Sequence, residues 1–261
     1  MYVCILNQDG EIIVHRNMPA SPDLLLKTSA PYREQIVLAV EWIFTWYGLA
    51  DLGAREGMPF VLGHALYMKA SHGGKATHDQ IDAQKIAVLL RGGMLPQAYV
   101  YPAEMRATRD LLRRRMHLMR TRAELLTPIQ NPKSQYNRPE IGKKIAYKAN
   151  RDGVAQRFAD PAGQKNIEVD LALLDHYDRL LREMELTILT TATQHDANTL
   201  SLLRTVPGIG EILRLVLWYE MHDLQRFPRV QDFVSYCRLV NCAKESAGQR
   251  YGTSGTKLGN A

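Results

Sequence analysis

Three carboxylates occupy positions where an acid needs a physical reason. Glu41 closes an apolar run, residues 35–40, with the pattern of a strand buried on both faces, where a carboxylate is costly unless partnered. Asp79 and Asp82 lie in His78-Asp79-Gln80-Ile81-Asp82-Ala83, and their i, i+3 spacing puts both on one face of a helix. Like charges so placed repel, and a divalent cation would remove the repulsion. Oxygen ligands of this kind suit Mg²⁺, and two-metal sites clamp the attacking and leaving oxygens in phosphoryl transfer. A plainer reading stays open, in which Asp79 favours the positive end of the helix dipole and Asp82 faces water.

Two further strings could bear chemistry. Thr205-Val206-Pro207-Gly208-Ile209-Gly210 separates two apolar helical segments. Pro-Gly-x-Gly makes a tight turn whose backbone N–H groups open a helix and suit a phosphate, and helix-hairpin-helix DNA-binding elements carry this sequence. The stretch 245–260 contains Ser246, Ser254 and Lys257 among small residues. Its composition reads as a flexible surface loop; a serine nucleophile needs activation, and no dedicated histidine lies nearby in sequence.

The elements that must position these groups follow from patterning. Residues 2–6 and 11–14 are β-rich runs around Asn7-Gln8-Asp9-Gly10, which predicts a hairpin. The sequence predicts strands over 35–40, 59–62 and 98–101, and helices over 42–55, 76–90 and 103–127. Antiparallel strands followed by alternating α/β units imply an α/β fold with a mixed sheet and helices on both faces; the ribonuclease H-like fold is one such arrangement. In the 103–127 helix, apolar residues at 112, 116, 119, 123 and 126 predict a buried stripe. Arg106, Arg113 and Arg120 recur every seven residues on another face. From Glu104 to Arg122 there are seven arginines against two acids, and from Lys133 to Arg157 seven cations against two acids. Such cations, mostly unpaired in their own windows, are either a solvated face or a footprint for nucleic-acid phosphates. Residues 132–163, punctuated by proline and glycine, read as a basic linker with one short helical piece. Residues 167–195 are helical, with Leu174, Tyr177, Leu181, Met184 and Ile188 in a repeat that could pack within the chain or form a coiled coil between copies.

Composition excludes other classes. The 261 residues are 46% apolar and 23% charged with a net charge of +6, which fits a folded protein able to meet polyanions. No targeting segment is recognised at the N-terminus, and the most apolar stretch, 36–50, is too short to span a bilayer. Cys4, Cys237 and Cys242 form no zinc-spaced cluster and suit a reducing cytosol.

Taken in order and spacing, Val40-Glu41, the 78–83 string, Tyr101-Pro102-Ala103-Glu104, Arg109 to Arg115, Val206 to Gly210, Arg226-Phe227-Pro228, Ser235 to Leu239 and the 245–260 tail resemble the insertion-sequence transposases of the one-hundred-and-ten family. The resemblance implies a DEDD-type, ribonuclease H-like domain over 1–131, a basic linker over 132–166, a coiled-coil helix over 167–199 and a mainly helical serine transposase domain with a helix-hairpin-helix over 200–261. It implies Glu41, Asp79 and Asp82 as Mg²⁺ ligands. Ser246 is implied as the nucleophile toward a DNA phosphodiester, with Ser254 second. Nucleic-acid contacts are expected from Arg106, Arg113, Arg120, Pro207, Gly208, Gly210 and Lys257. The implied partners are the DNA ends and target, a guide RNA and further copies of the chain as a homo-oligomer, in the bacterial cytoplasm at the nucleoid. The family's first acidic strand, closing on a Gly-Ile-Asp string, has no counterpart here; Asp9 lies in a hairpin turn and cannot replace it. The chain also stops where the family continues into helices, so the sequence-based expectation is a chain truncated at both ends, inactive and poorly stable. A junction-resolving metal nuclease and a nucleic-acid-binding remnant without catalysis are the alternatives.

Overall fold

The computed structural model describes residues 1–42, 46–65, 67–68, 78–130, 144–237, 239 and 242–254. They form two compact units, Met1–Ala107 and Thr108–Ala261. Secondary structure is mixed, mainly helical with small sheets. No described helix is long and apolar enough to cross a membrane.

In the first unit, β1 (Tyr2–Leu6) and β2 (Ile12–Asn17) pair antiparallel as a hairpin. Its turn is tied by Asn7, whose side chain accepts from Glu11 N at 2.8 Å, and Gly10 adopts φ +91°, open to glycine without a Cβ penalty. After α1 (Pro22–Ser29), with proline at its first turn, β3 (Leu38–Glu41), α2 (Trp46–Glu56) and β4 (Phe60–Gly63) make a parallel βαβ unit in which Glu41 is level with Gly63. Trp46, Ala50 and Leu62 form its core, with Val40, Tyr47, Phe60, Ala98 and Val100 against them. Helix α3 (Asp79–Arg91) packs on β1, β2 and β3. Among the described residues the strands pair as separate two-stranded sheets, so α3, rather than a backbone ladder, is the element shared by the hairpin and the parallel pair.

Residues 98–101 do not form the expected strand. A single antiparallel bridge joins Gln97 to Gly63, supported by Ala98 N donating to Leu62 O at 2.7 Å and His64 N donating to Pro96 O at 2.7 Å. Pro96 has no N–H to extend the ladder, and the Tyr101 carbonyl instead accepts from Arg106 Nε at 2.7 Å.

In the second unit, α4 (Ala103–Glu124, whose first turn belongs to the first unit) is followed by α5 (Leu126–Gln130) and the long α6 (Pro161–Arg204). Asp160 caps α6 by accepting from Gly163 N at 2.8 Å, and Pro161 suits the first helical position. Ile167, Leu174, Leu181 and Ile188 are all buried at seven-residue spacing, so the apolar repeat read from sequence is a packed face. The helix breaks at Asp196 (φ −161°, ψ 91°), whose carboxylate accepts from Thr199 N at 3.0 Å and restarts it. Helix α7 (Glu211–Met221) returns against α6, and α8 (Val230–Tyr236) follows.

Two details of this unit bear on the sequence reading. The apolar stripe of α4 stops short: Leu112 is buried, but Met119 and Ala123 are exposed. Contacts to α6 are made instead by Arg115 with Glu185 and Arg122 with Asp178. The paired numbers have a constant sum, which is the signature of antiparallel helices carrying one ion pair every two turns. The segment read as a linker is packed where it is described: Ile145, Val154, Ala155 and Phe158 join Ile129, Ile167 and Leu174 in one core. Arg151 is 5% exposed and donates to Asp175 at 2.6 Å, Asp178 at 2.7 Å, Ile145 O at 3.1 Å and Ala146 O at 3.0 Å.

Candidate nucleic-acid interface

Between α6 and α7 the chain turns through Thr205–Gly210. Thr205 Oγ1 donates to Leu202 O at 2.8 Å, Ile209 N donates to Val206 O at 3.2 Å, and Gly208 takes φ +84° with open space around its Cα. A side chain there would strain the backbone, so glycine is required by conformation. Gly210 is the N-cap of α7 with no capping side chain, which leaves the first-turn N–H groups and the positive helix end outward. Pro207, Gly208 and Gly210 are exposed. Beside them is a cleft of about 310 Å³ lined by Arg204, Ile209, Gly210, Glu211 and Arg214. Arg214 pairs with Glu211 at 3.2 Å, yet its Nε is buried without a hydrogen-bond partner. Two guanidinium groups thus flank a helix N-terminus, which is chemistry for a phosphodiester.

Helix α7 is held by a second set of charges. Glu220 accepts from Arg109 Nη2 at 2.8 Å and from Arg113 Nε at 2.8 Å and Nη2 at 3.0 Å. Burial pushes the Glu220 carboxyl up, but the Arg113 hydrogen bond and the two guanidinium charges outweigh it and hold the group below the usual carboxylate range. Tyr219, fully buried, meets His195 Nδ1 through its hydroxyl at 2.7 Å.

These contacts revise the premise drawn from charge counting. Within unit two, Arg109, Arg113, Arg115 and Arg122 all pair with acids distant in sequence. In unit one, Arg106 is 7% exposed, donates to Asp51 at 2.6 Å and lies 4.9 and 5.0 Å from the Trp46 and Tyr47 ring centroids. Its guanidinium is thus engaged within the protein. On the same helix Arg114 and Arg120 are exposed. Arg204 and Arg214, missed in the sequence reading, had a readable signal: they bracket the Pro-Gly-Ile-Gly string directly.

The carboxylates are placed as follows. Glu41 ends β3 and is half-buried; Asp79 is exposed in the first turn of α3; Asp82, one turn on, pairs with Lys85 at 3.5 Å. Among the described residues no group of three or more His, Cys, Asp or Glu is arranged to hold a metal ion.

The serine segment is a hairpin where it is described, not the loop its composition suggested. Strands β5 (Cys242–Ser246) and β6 (Gln249–Ser254) pair antiparallel through Ala247 (φ 50°) and Gly248 (φ 75°), two left-handed residues as tight hairpin turns require. Ser246 is exposed opposite Gln249 at the tip, and Ser254 is level with Cys242 at the far end. Lys257 lies outside the described residues.

Residues 200–261 match the model of the transposase IS116/IS110/IS902 family. The match supports an insertion-sequence transposase. The transposase-matching segment contains the Thr205–Gly210 turn, α7, α8 and the serine hairpin. No curated protein matches the chain.

Proposed function

We propose that this chain acts on DNA as an insertion-sequence transposase, gripping the phosphate backbone at the α6–α7 turn and using Ser246 as its nucleophile. The observation that carries this reading is that the family match falls on the segment where two arginines and a helix N-terminus line one cleft. Arg204 and Arg214 neutralise phosphate charge and release counterions, while the exposed N–H groups after Gly210 fix the strand. Ser246 Oγ forms a bond to phosphorus, the bond from phosphorus to the deoxyribose oxygen breaks, and the serine proton passes to the departing oxygen. The exposure of Ser246 at a hairpin tip supports access to a duplex.

The acids Glu41, Asp79 and Asp82 enter as a cation-recruiting face. Mg²⁺ is commonly held by one or two carboxylates together with substrate phosphates, so a cation here is proposed to bind jointly with DNA. A guide RNA and self-association belong to the same proposal and rest on the family resemblance.

The test is trapping of a covalent protein–DNA adduct on a nicked duplex that prevents religation. The native chain gives an adduct, Ser246→Ala abolishes it, and Ser254→Ala keeps it. An adduct that survives Ser246→Ala contradicts the assignment, and metal-dependent nicking without any adduct favours a metal nuclease.

A further inference from the structure

At the carboxyl ends of β3 and β4 the chain leaves the parallel pair as Glu41-Trp42 and Gly63-His64. Both exits are pinned: Trp42 N donates to Gly63 O at 2.9 Å, and His64 N donates to Pro96 O at 2.7 Å. The pinned backbones bring three rings into series. The Trp42 and His64 rings meet edge-on with centroids 5.7 Å apart, and the His64 and Tyr67 rings lie 4.5 Å apart at 38°. The outer two rings stay open to solvent, Trp42 at 37% and Tyr67 at 49%.

Neither outer ring belongs to the unit's core, which is built on Trp46, Ala50 and Leu62. Large exposed aromatics on rigid backbone are a common mark of a binding surface, and the carboxyl ends of parallel strands are where open α/β folds place ligands. The stretch that carries His64 and Tyr67, residues 57–78, contains two lysines and three histidines and no acid, which favours an anionic partner. A flat ligand attached to an anionic backbone satisfies both features.

We infer that Trp42 and Tyr67 form a stacking platform for an unpaired nucleobase of single-stranded DNA or RNA. Base–aromatic stacking tolerates every base, because each presents a π-face. The platform differs from the α6–α7 cleft, which reads phosphate; it takes the base of a strand that has been opened. This inference rests on the nucleic-acid reading above.

Fluorescence anisotropy with labelled twelve-nucleotide single strands tests it: oligo-dT, oligo-U and an otherwise identical strand of abasic sites. The native chain binds oligo-dT tighter than the abasic strand. Trp42→Ala and Tyr67→Ala each weaken oligo-dT binding by about fivefold to a hundredfold, the range expected for one lost stack, and Trp42→Phe restores most of it. Circular dichroism of each variant verifies the fold, and the abasic comparison on the native chain stands without any variant. Equal affinity for oligo-dT and oligo-U assigns the contact to the base; a large preference for one names the strand the platform serves. Equal binding of base-bearing and abasic strands overturns the platform, even where duplex DNA binds. Failure of every nucleic acid to bind overturns the platform and the proposed function together.

Discussion

Glu220→Gln isolates the charge arrangement that holds α7 and hence the phosphate-facing turn. Glu220 side chain is 13% exposed, Arg109 is 4% exposed and Arg113 is 37% exposed. Removing the carboxylate charge takes the 2.8 Å ion pair with Glu220 from the buried Arg109 guanidinium, and breaking a buried pair in this way costs about 3–5 kcal/mol. The neutral amide still accepts a hydrogen bond, so about 3 kcal/mol is expected. Arg113 is over a third exposed, and solvent screening limits Arg113→Ala to about 1 kcal/mol or less. Hydrogen exchange followed by mass spectrometry reads this locally. At 1.4 kcal/mol per tenfold, α7 amides in Glu220→Gln exchange about two orders of magnitude faster than in the native chain, and those in Arg113→Ala less than tenfold faster. Acid has the same effect. The folded Glu220 carboxyl is held below its unfolded value of about 4.3, so its stabilisation is complete above that pH and lost as pH falls through the depressed folded value. Native exchange of α7 in Glu220→Gln, or an equal penalty from Arg113→Ala, would refute the reasoning.

Further outcomes follow from the same structure. Arg151→Ala removes a 5%-exposed guanidinium from Asp175, Asp178 and two carbonyls; it should release residues 144–160 and create rapid limited proteolysis there, whereas unchanged digestion would mean the network does not hold them. Replacing Arg204 by alanine should weaken duplex DNA binding and lower the slope of log affinity against log salt by about one, the signature of one phosphate contact. The same change at Arg214 should act alike, and a loss confined to one DNA sequence would contradict a backbone role.

Much of the first unit was readable from local pattern. The Asn7–Gly10 turn, the β3–α2–β4 alternation and the start of α3 near Asp79 each depend on residues close in sequence, where periodicity and turn chemistry act. The seven-residue face of α6 and the turn at Pro207–Gly210 were visible for the same reason. Charge was misleading because its partners are remote: Arg106 meets Asp51 across 55 residues, and Arg109 meets Glu220 across 111. A window of sequence around α4 therefore shows unpaired cations that the fold has paired. The 144–160 segment was read as linker because of Gly153 within it and Gly142, Pro161 and Gly163 around it, while Ile145, Val154 and Phe158 are apolar residues too irregularly spaced to show a period. The serine hairpin was hidden because alanine, lysine, glutamate and glycine carry little strand propensity, and Ala247 stands before Gly248 where the usual signal has asparagine or aspartate. The carboxylates were legible as chemistry but not as a site, since their separation is a property of two elements and not of either string.

The most direct test of the account is the salt dependence of duplex DNA binding by the native chain and by Arg204→Ala/Arg214→Ala. The account predicts salt-sensitive, sequence-tolerant binding that falls sharply in the double variant, with a slope reduced by about two. Salt-insensitive binding, or a double variant that binds as the native chain does, would contradict the assignment of the α6–α7 turn as the DNA-gripping element.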